Sequence, residues 1–286
     1  MKLAFLGLGV MGFPMAGHLA SKGADVRVYN RTAAKAEAWC AKYGGASAAT
    51  PARAAEEADI VFACVGGDED LRAVTLGPKG AFSTMHGDTI FVDHTTTSAA
   101  IARELYSTAQ GLGFHFLDAP VSGGQVGAEQ AKLTVMVGGE QRIFERARPY
   151  IESYARAVTH MGPAGSGQLT KMVNQICVVG VMQGLAEGIN FGQRAGLDMH
   201  RVLEVLGKGA ATSWQMENRG GTMIEGKFDF GFAADWMLKD LEICLDEAAR
   251  SGAALEQTAL IKNYFSQLHD AGKGRWDFSA LIDRLR

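Results

Sequence analysis

One hexapeptide, Gly7-Leu8-Gly9-Val10-Met11-Gly12, constrains this chain more than any other segment. It follows a short apolar run at 2–6 and opens a helical pattern over 11–21, so G-x-G-x-x-G stands at a strand-to-helix turn. In that setting each glycine has its own task. The first permits the tight turn, the second lets the backbone approach a pyrophosphate, and the third lets helix and strand pack closely. The helix N-terminus then faces the phosphate charge. Residues Gly7, Leu8, Gly9, Val10, Met11 and Gly12 are therefore read as a dinucleotide-binding turn.

The chain around this turn alternates between strand-like and helical patterns. Apolar runs at 26–29, 60–65, 89–92, 114–117 and 133–137 are separated by amphipathic stretches such as 32–43 and 98–112. Thr50-Pro51 reads as an N-cap with proline at the first helical position. Strands that alternate with helices predict βαβ units and an α/β fold with a mostly parallel sheet. The texture changes after about residue 163. Residues 165–195 contain no proline, enough for a helix of ~45 Å. Further helical stretches follow at 198–207, 234–251, 255–271 and 278–285, with no strand pattern. The expected division is a dinucleotide-binding domain at 1–163, a long connecting helix at 164–195, and an all-helical substrate and dimerisation domain at 196–286. Two such domains leave a cleft, a common place for a small-molecule site.

Composition narrows the partners. Twenty-eight Lys and Arg against 31 Asp and Glu leave a net charge of -3, with no basic run, which argues against nucleic acid and membrane surfaces. The apolar N-terminal stretch is broken by glycines and Pro14 and lacks a cleavage pattern. The longest later apolar run, 176–182, falls far short of the ~20 residues of a span. Cys40, Cys64, Cys177 and Cys244 form no C-x-x-C pair and read as reduced thiols. A cytoplasmic protein is expected. No H-x-H or H-E-x-x-H pattern is present, so no metal site is expected, and Pro120 precludes a G-x-S-x-G elbow at Ser122.

The end of the second strand bears on the coenzyme. An acid that holds a ribose 2′-hydroxyl is expected about 20 residues after the turn. Here Asn30-Arg31-Thr32 stands instead, with Lys35 one turn on. No carboxylate repels a 2′-phosphate, and Arg31 offers a planar cation for one. NADP is therefore expected over NAD, with NAD still possible.

Two further segments carry chemistry. Asp118-Ala119-Pro120-Val121-Ser122-Gly123-Gly124 can form an anion-holding nest from the Ser122 hydroxyl and the glycine N–H groups. Lys171 and Asn174 lie three apart near the start of the long helix and share a face. Burial disfavours a charged lysine, which suits Lys171 to general acid or base work; a lysine that snorkels to water is the plainer alternative. Lys239-Asp240-Leu241 reads alone as an ordinary charged helix face, and Trp214, Trp236 and Trp276 as packing residues, with Trp214 and Trp236 as cleft-lining residues the alternative.

Taken together, the Gly7 to Gly12 turn with Met15-Ala16, the Asp118 to Gly124 loop, the Gly165 to Asn174 segment and Lys239-Asp240-Leu241 resemble the β-hydroxyacid dehydrogenase family in order and spacing. The resemblance runs through nearly the whole chain. It implies a Rossmann-type domain, a long interdomain helix and an all-α domain, in homodimers or homotetramers. It also implies Lys171 as catalytic acid/base, Asn174 as substrate-orienting, and Ser122, Gly123 and Gly124 as the holders of a substrate carboxylate. Thr96 matches the loop threonine near the nicotinamide, Lys239 a cofactor-contacting lysine, and Val65 a further cofactor neighbour. Asn30-Arg31-Thr32 looks like the NADPH-using glyoxylate and succinic semialdehyde reductases, so the expected substrate is a small carboxylate-bearing aldehyde or hydroxy acid. An NAD-linked 3-hydroxyisobutyrate or tartronate semialdehyde dehydrogenase is the alternative within the enzymes, and an NADP-binding sensor or scaffold the one outside them. His94 stands where relatives often carry Ser or Met, which bears on the substrate.

Glycine makes up 36 of 286 residues, and only some are used by these motifs. Gly180, Gly184, Gly188 and Gly192 recur every fourth residue in the long helix, where each costs about 1 kcal/mol relative to Ala. The stripe predicts another backbone packed closely against it, within the subunit or across a dimer.

Overall fold

A computed structural model describes all 286 residues. The chain divides into two compact units, Met1–Lys171 and Met172–Arg286.

The first unit is built on nine strands: β1 (Lys2–Leu6), β2 (Asp25–Tyr29), β3 (Ala46–Ser47), β4 (Ile60–Ala63), β5 (Ile90–Asp93), β6 (His115–Asp118), β7 (Val121–Ser122), β8 (Leu133–Gly138) and β9 (Ala155–Gly162). Their order is β3-β2-β1-β4-β5-β6-β8-β7, with β9 also paired to β8. The ladder from β3 to β6 is parallel throughout, and β8 runs antiparallel to β6 and β7. Helices α1 (Gly12–Ser21), α2 (Ala33–Tyr43), α3 (Pro51–Ala55), α4 (Asp68–Leu76), α5 (Ala99–Leu112), α6 (Gly124–Glu129) and α7 (Gln141–Ile151) connect them. Two apolar clusters pack the two faces of the sheet. Phe5, Val28, Trp39 and Phe62 belong to one, and Leu6, Val61, Phe91 and Phe116 to the other. β4, β5 and β6 are therefore apolar on both sides, as parallel strands between helix layers must be.

Chain order fixes where a ligand can enter. From β1 the chain moves outward to β2 and β3, then crosses back to place β4 on the other side of β1. The carboxyl ends of β1 and β4 thus flank a topological switch point, the position at which open α/β sheets bind ligands.

The second unit is all-helical: most of α8 (Ser166–Arg194), then α9 (Met199–Leu206), α10 (Trp214–Glu225), α11 (Ala234–Ser251), α12 (Glu256–Asp270) and a closing 3₁₀ segment, Phe278–Leu285. Val179, Met182, Ala186 and Ile189 of α8 pack with Met237, Leu241, Ile261 and Phe265 as its core. The sequence did not mark α10, which carries Gly220 and Gly221. Its ends are nevertheless signalled, by a Ser213 hydroxyl that accepts the Met216 N–H and by Gly226 in a left-handed C-cap.

The structure adds to two readings of α8. Over 18 residues its mean hydropathy reaches 1.2, so by length and composition it could cross a membrane, whereas the apolar runs alone suggested nothing of that length. Scattered Gly, Gln and Asn interrupt the run without interrupting the helix, and the apolar positions between them form a core stripe. Within the chain, no backbone of another element lies against the glycine stripe. A Cβ at Gly192 would strike the Met199 sulfur, and one at Gly180 would lie 3.5 Å from the Gln257 amide, while Gly184 and Gly188 face open space. Those two line a groove of about 310 Å³ with Val181, Leu185, Leu203 and Met216.

Candidate active site

The glycine turn sits at the switch point, and each glycine meets what its place requires. Gly7 has a φ of +96°, and a Cβ there would collide with the Cys64 carbonyl at the end of β4. A Cβ at Gly12 would collide with the Gly7 carbonyl and the Phe5 ring. A Cβ at Gly9 would meet nothing within 4 Å, which leaves the backbone there open to a close-fitting ligand. No side chain caps α1. Pro14, third in the helix, contributes no N–H, while the Phe13 N–H donates to the Gly9 carbonyl at 3.0 Å. These features fit a dinucleotide pyrophosphate against the start of α1. Val65 forms the facing wall, its Cγ1 3.0 Å from the Gly7 Cβ position.

Residues at the end of β2 take different places. Asn30 is turned inward. Its Oδ1 accepts the Leu8 N–H at 2.9 Å and its Nδ2 donates to the Thr32 carbonyl at 3.0 Å, so it braces the glycine turn. Arg31 has a side chain 85% exposed and pairs with Asp70 in the first turn of α4 at 2.9 Å. Thr32 is the N-cap of α2 and is exposed, as is Lys35.

The remaining first-unit segments are tied together at the carboxyl ends of β4, β5 and β6. Thr95 accepts the Val65 N–H on its hydroxyl at 3.1 Å, and its own N–H donates to Asp93 Oδ1 at 2.9 Å. Asp118, at the end of β6, accepts the N–H of Gly165 at 2.7 Å and of Gln168 at 3.0 Å, and so caps α8 from another element. Gln168 reaches back from α8, donating to the Thr95 carbonyl at 2.7 Å and accepting the Thr97 N–H at 3.1 Å. Thr96 is thereby held between two clamped neighbours. A Cβ at Gly167 would lie 2.5 Å from the Met136 carbonyl and 2.7 Å from that of Asp118, so α8 starts hard against the sheet. Lys171, one turn beyond Gln168, is 8% exposed. Ser122 pairs with Thr134 across β7 and β8, and Gly123 and Gly124 follow with φ of +129° and +60° on the exposed side.

Burial governs the electrostatics here. It raises Asp93 from 3.8 to about 7 against the lowering by its Thr95 hydrogen bonds. It raises Asp118 too, outweighing the N–H groups of α8. Burial lowers His94 to about 4.

In the second unit, Asn174 donates through Nδ2 to Gln175 Oε1 at 2.8 Å, and Gln175 donates to Asp240 Oδ2 at 2.6 Å. Lys239 pairs with Asp240 at 3.2 Å and lies 5.7 Å from the Trp236 ring centre. Sequence reasoning missed Gln168, Gln175 and Asp93. Gln168 had a signal, since it sits three residues before Lys171 on the same helical face. Among described residues no cluster of His, Cys, Asp and Glu could hold a metal ion.

Comparison with known proteins agrees with this geometry. The model of the NAD binding domain of 6-phosphogluconate dehydrogenase matches residues 2–162. That of the NAD-binding domain of NADP-dependent 3-hydroxyisobutyrate dehydrogenase matches residues 165–285. An uncharacterized oxidoreductase of Shewanella frigidimarina (strain NCIMB 400) is 57% identical over 99% of this chain and 98% of its own. The 2-hydroxy-3-oxopropionate reductase of Escherichia coli (strain K12) is 35% identical over 100% and 97%. The solved 3-hydroxyisobutyrate dehydrogenase of Mycobacterium tuberculosis with L-serine superposes with a TM-score of 0.89 at 32% identity, covering 100% of this chain and 99% of that one. With both halves of the chain matched and the dinucleotide turn, the clamped strand ends and the buried lysine in place, the chain belongs to the β-hydroxyacid dehydrogenase family of NAD(P)-dependent oxidoreductases.

Proposed function

We propose that the protein is an NADP(H)-dependent reductase of a short aldehyde acid, of the glyoxylate or succinic semialdehyde reductase kind, with Lys171 as general acid/base. One observation carries this reading: Lys171 is buried on a helix start that Asp118 and Gln168 fasten to the loops of Thr96 and Ser122. The nicotinamide, when bound, supplies or accepts the hydride. Gly7, Gly9 and Gly12 would admit its pyrophosphate, Val65 and Thr96 would be its neighbours, Arg31 would meet a 2′-phosphate, and Lys239 would be a further cofactor contact. Ser122 and the N–H groups of Gly123 and Gly124 hold the substrate carboxylate, and Asn174 orients the reacting oxygen. In reduction the Lys171 ammonium donates a proton from Nζ to the oxygen that gains charge; in oxidation the neutral amine takes the hydroxyl proton. Such help is worth about 10²–10⁴-fold.

The same reading makes the protein cytoplasmic, supported by four free cysteines, and a homodimer or homotetramer, supported by exposed Val173, Val181 and Phe191 along α8. One observation favours the NAD-linked alternative: the Asp70 carboxylate already occupies Arg31.

The test is a steady-state screen of glyoxylate, succinic, tartronate and methylmalonate semialdehydes with both coenzymes, followed by Lys171→Ala. The variant should lose about 10²–10⁴-fold in kcat while its NADPH affinity, read by fluorescence, stays put. Near-normal turnover would remove Lys171 from the chemistry.

A further inference from the structure

His94 lies directly beyond Asp93, yet its ring points into the core. Phe5, Phe62 and His94 stack across β1, β4 and the end of β5, with centroid separations of 6.1 and 5.9 Å. Tyr154 closes the column edge-on, at 88° to Phe62 and 89° to His94. Both polar side chains are buried, His94 at 2% exposure and Tyr154 at 0%. The His94 ring spends both nitrogens: Nδ1 is 2.6 Å from the Ala119 carbonyl oxygen, and Nε2 is 2.8 Å from the Tyr154 hydroxyl.

These partners fix the tautomer. A carbonyl oxygen only accepts, so the proton is on Nδ1; the Nε2 of a neutral ring then accepts, and Tyr154 donates. Burial keeps the imidazole neutral and pushes the Tyr154 phenol well up, so at neutral pH this is the single protonation state.

We propose that His94 is a positioning residue for the substrate loop: its Nδ1–H pins the Ala119 carbonyl and so sets the course of the chain from β6 into Ser122, Gly123 and Gly124, while Tyr154 holds the ring in place. Ala119 is gripped on both sides, since its N–H donates to the Asp93 carbonyl at 2.6 Å. Pro120 follows with no N–H to contribute, and its carbonyl accepts the Met136 N–H at 3.1 Å. Only two residues separate the pinned carbonyl from Ser122. The ring cannot touch substrate, so its effect reaches the reaction through the loop. This inference rests on the proposed reading of that loop as the carboxylate holder.

The test uses the full chain with Ser122→Ala, His94→Leu, His94→Asn and Tyr154→Phe, the best substrate of the screen, and NADPH titrations. His94→Leu should raise KM for the aldehyde acid about tenfold, the equivalent of one lost net hydrogen bond of ~1.4 kcal/mol, with NADPH affinity within about twofold. His94→Asn, whose amide N–H can stand where Nδ1–H stood, should recover most of that loss. Tyr154→Phe should raise KM more mildly. Nitrogen-15 NMR of the substrate-free protein should show Nδ1 protonated and Nε2 bare. An Nε2-protonated ring overturns the proposal whatever the substrate, as does a His94→Asn variant no better than His94→Leu. If Ser122→Ala raises KM and neither His94 nor Tyr154 variants do, the pin is refuted and the loop reading stands. If Ser122→Ala leaves KM unchanged, the loop reading itself falls and takes the proposal with it.

Discussion

Asp93→Asn isolates the burial of a carboxylate from everything around it. Asp93 is completely buried; Oδ1 accepts the Thr95 N–H, and Oδ2 meets no donor. Its pKa accordingly moves from 3.8 to about 7. At 1.36 kcal/mol per unit the shift corresponds to roughly 4 kcal/mol. Because the folded pKa is the higher one, between about pH 4 and 7 the folded protein keeps a proton that the unfolded chain has released. The stability linked to that proton is complete below the unfolded pKa and is lost as pH rises through about 7. Asparagine cannot ionise. It preserves the Oδ1 acceptor and puts an N–H where the protonated acid has its O–H, so at low pH the two proteins should agree to within ~1 kcal/mol. At pH 8 the variant should be the more stable by ~2–4 kcal/mol. His94 gives the opposite slope, since its pKa falls from 6.5 to about 4 and the unfolded chain takes up a proton there that the folded one refuses. That slope is common to both proteins and cancels in the difference. Urea unfolding from pH 4.5 to 8, followed by circular dichroism, measures it. A difference that does not change with pH would refute the argument.

Three other substitutions probe separate parts of the site. Arg31→Asp should weaken NADPH binding by about 10–100-fold, the loss of a charge-assisted contact, and Asp70→Asn should strengthen it several-fold by releasing Arg31; titrations that show less than a twofold change in both would sink the NADP assignment. Asp118→Ala strips the acceptor from two buried N–H groups at the start of α8 while relieving the burial of a carboxylate, for a net loss of ~2–4 kcal/mol, and should lower kcat more than it raises KM. An unaltered melting temperature and kcat would show that α8 needs no such cap.

Much of this was legible because backbone rules write directly into sequence. Glycine spacing at 7, 9 and 12 marks the turn, and apolar runs mark β1, β2, β4, β5, β6 and β8 to within a residue or two at most ends. β9 was missed, an edge strand of mixed exposure. β3 and β7, at two residues each, are too short to carry a period. The helical stretch at 278–285 is a 3₁₀ segment. Asn30 and His94 show the deeper difficulty. Whether a polar side chain turns toward a ligand or inward depends on which partner waits inside, here Leu8 N–H and the Ala119 carbonyl, and those partners lie 22 and 25 residues away.

The contrast between the exposed Arg31–Asp70 pair and the buried Asp118–Gln168 clamp bears on how such a protein can change over generations. Substitutions on an exposed rim are usually neutral to within ±0.5 kcal/mol, so the residues at positions 31 and 70 can drift, and on the proposed reading coenzyme choice with them, without a stability threshold being crossed. The clamp is different: Asp118 and Gln168 each serve segments from other elements, so a change at either is felt in several places at once. On that reading, selection can retune which coenzyme is used far more readily than it can relocate Lys171.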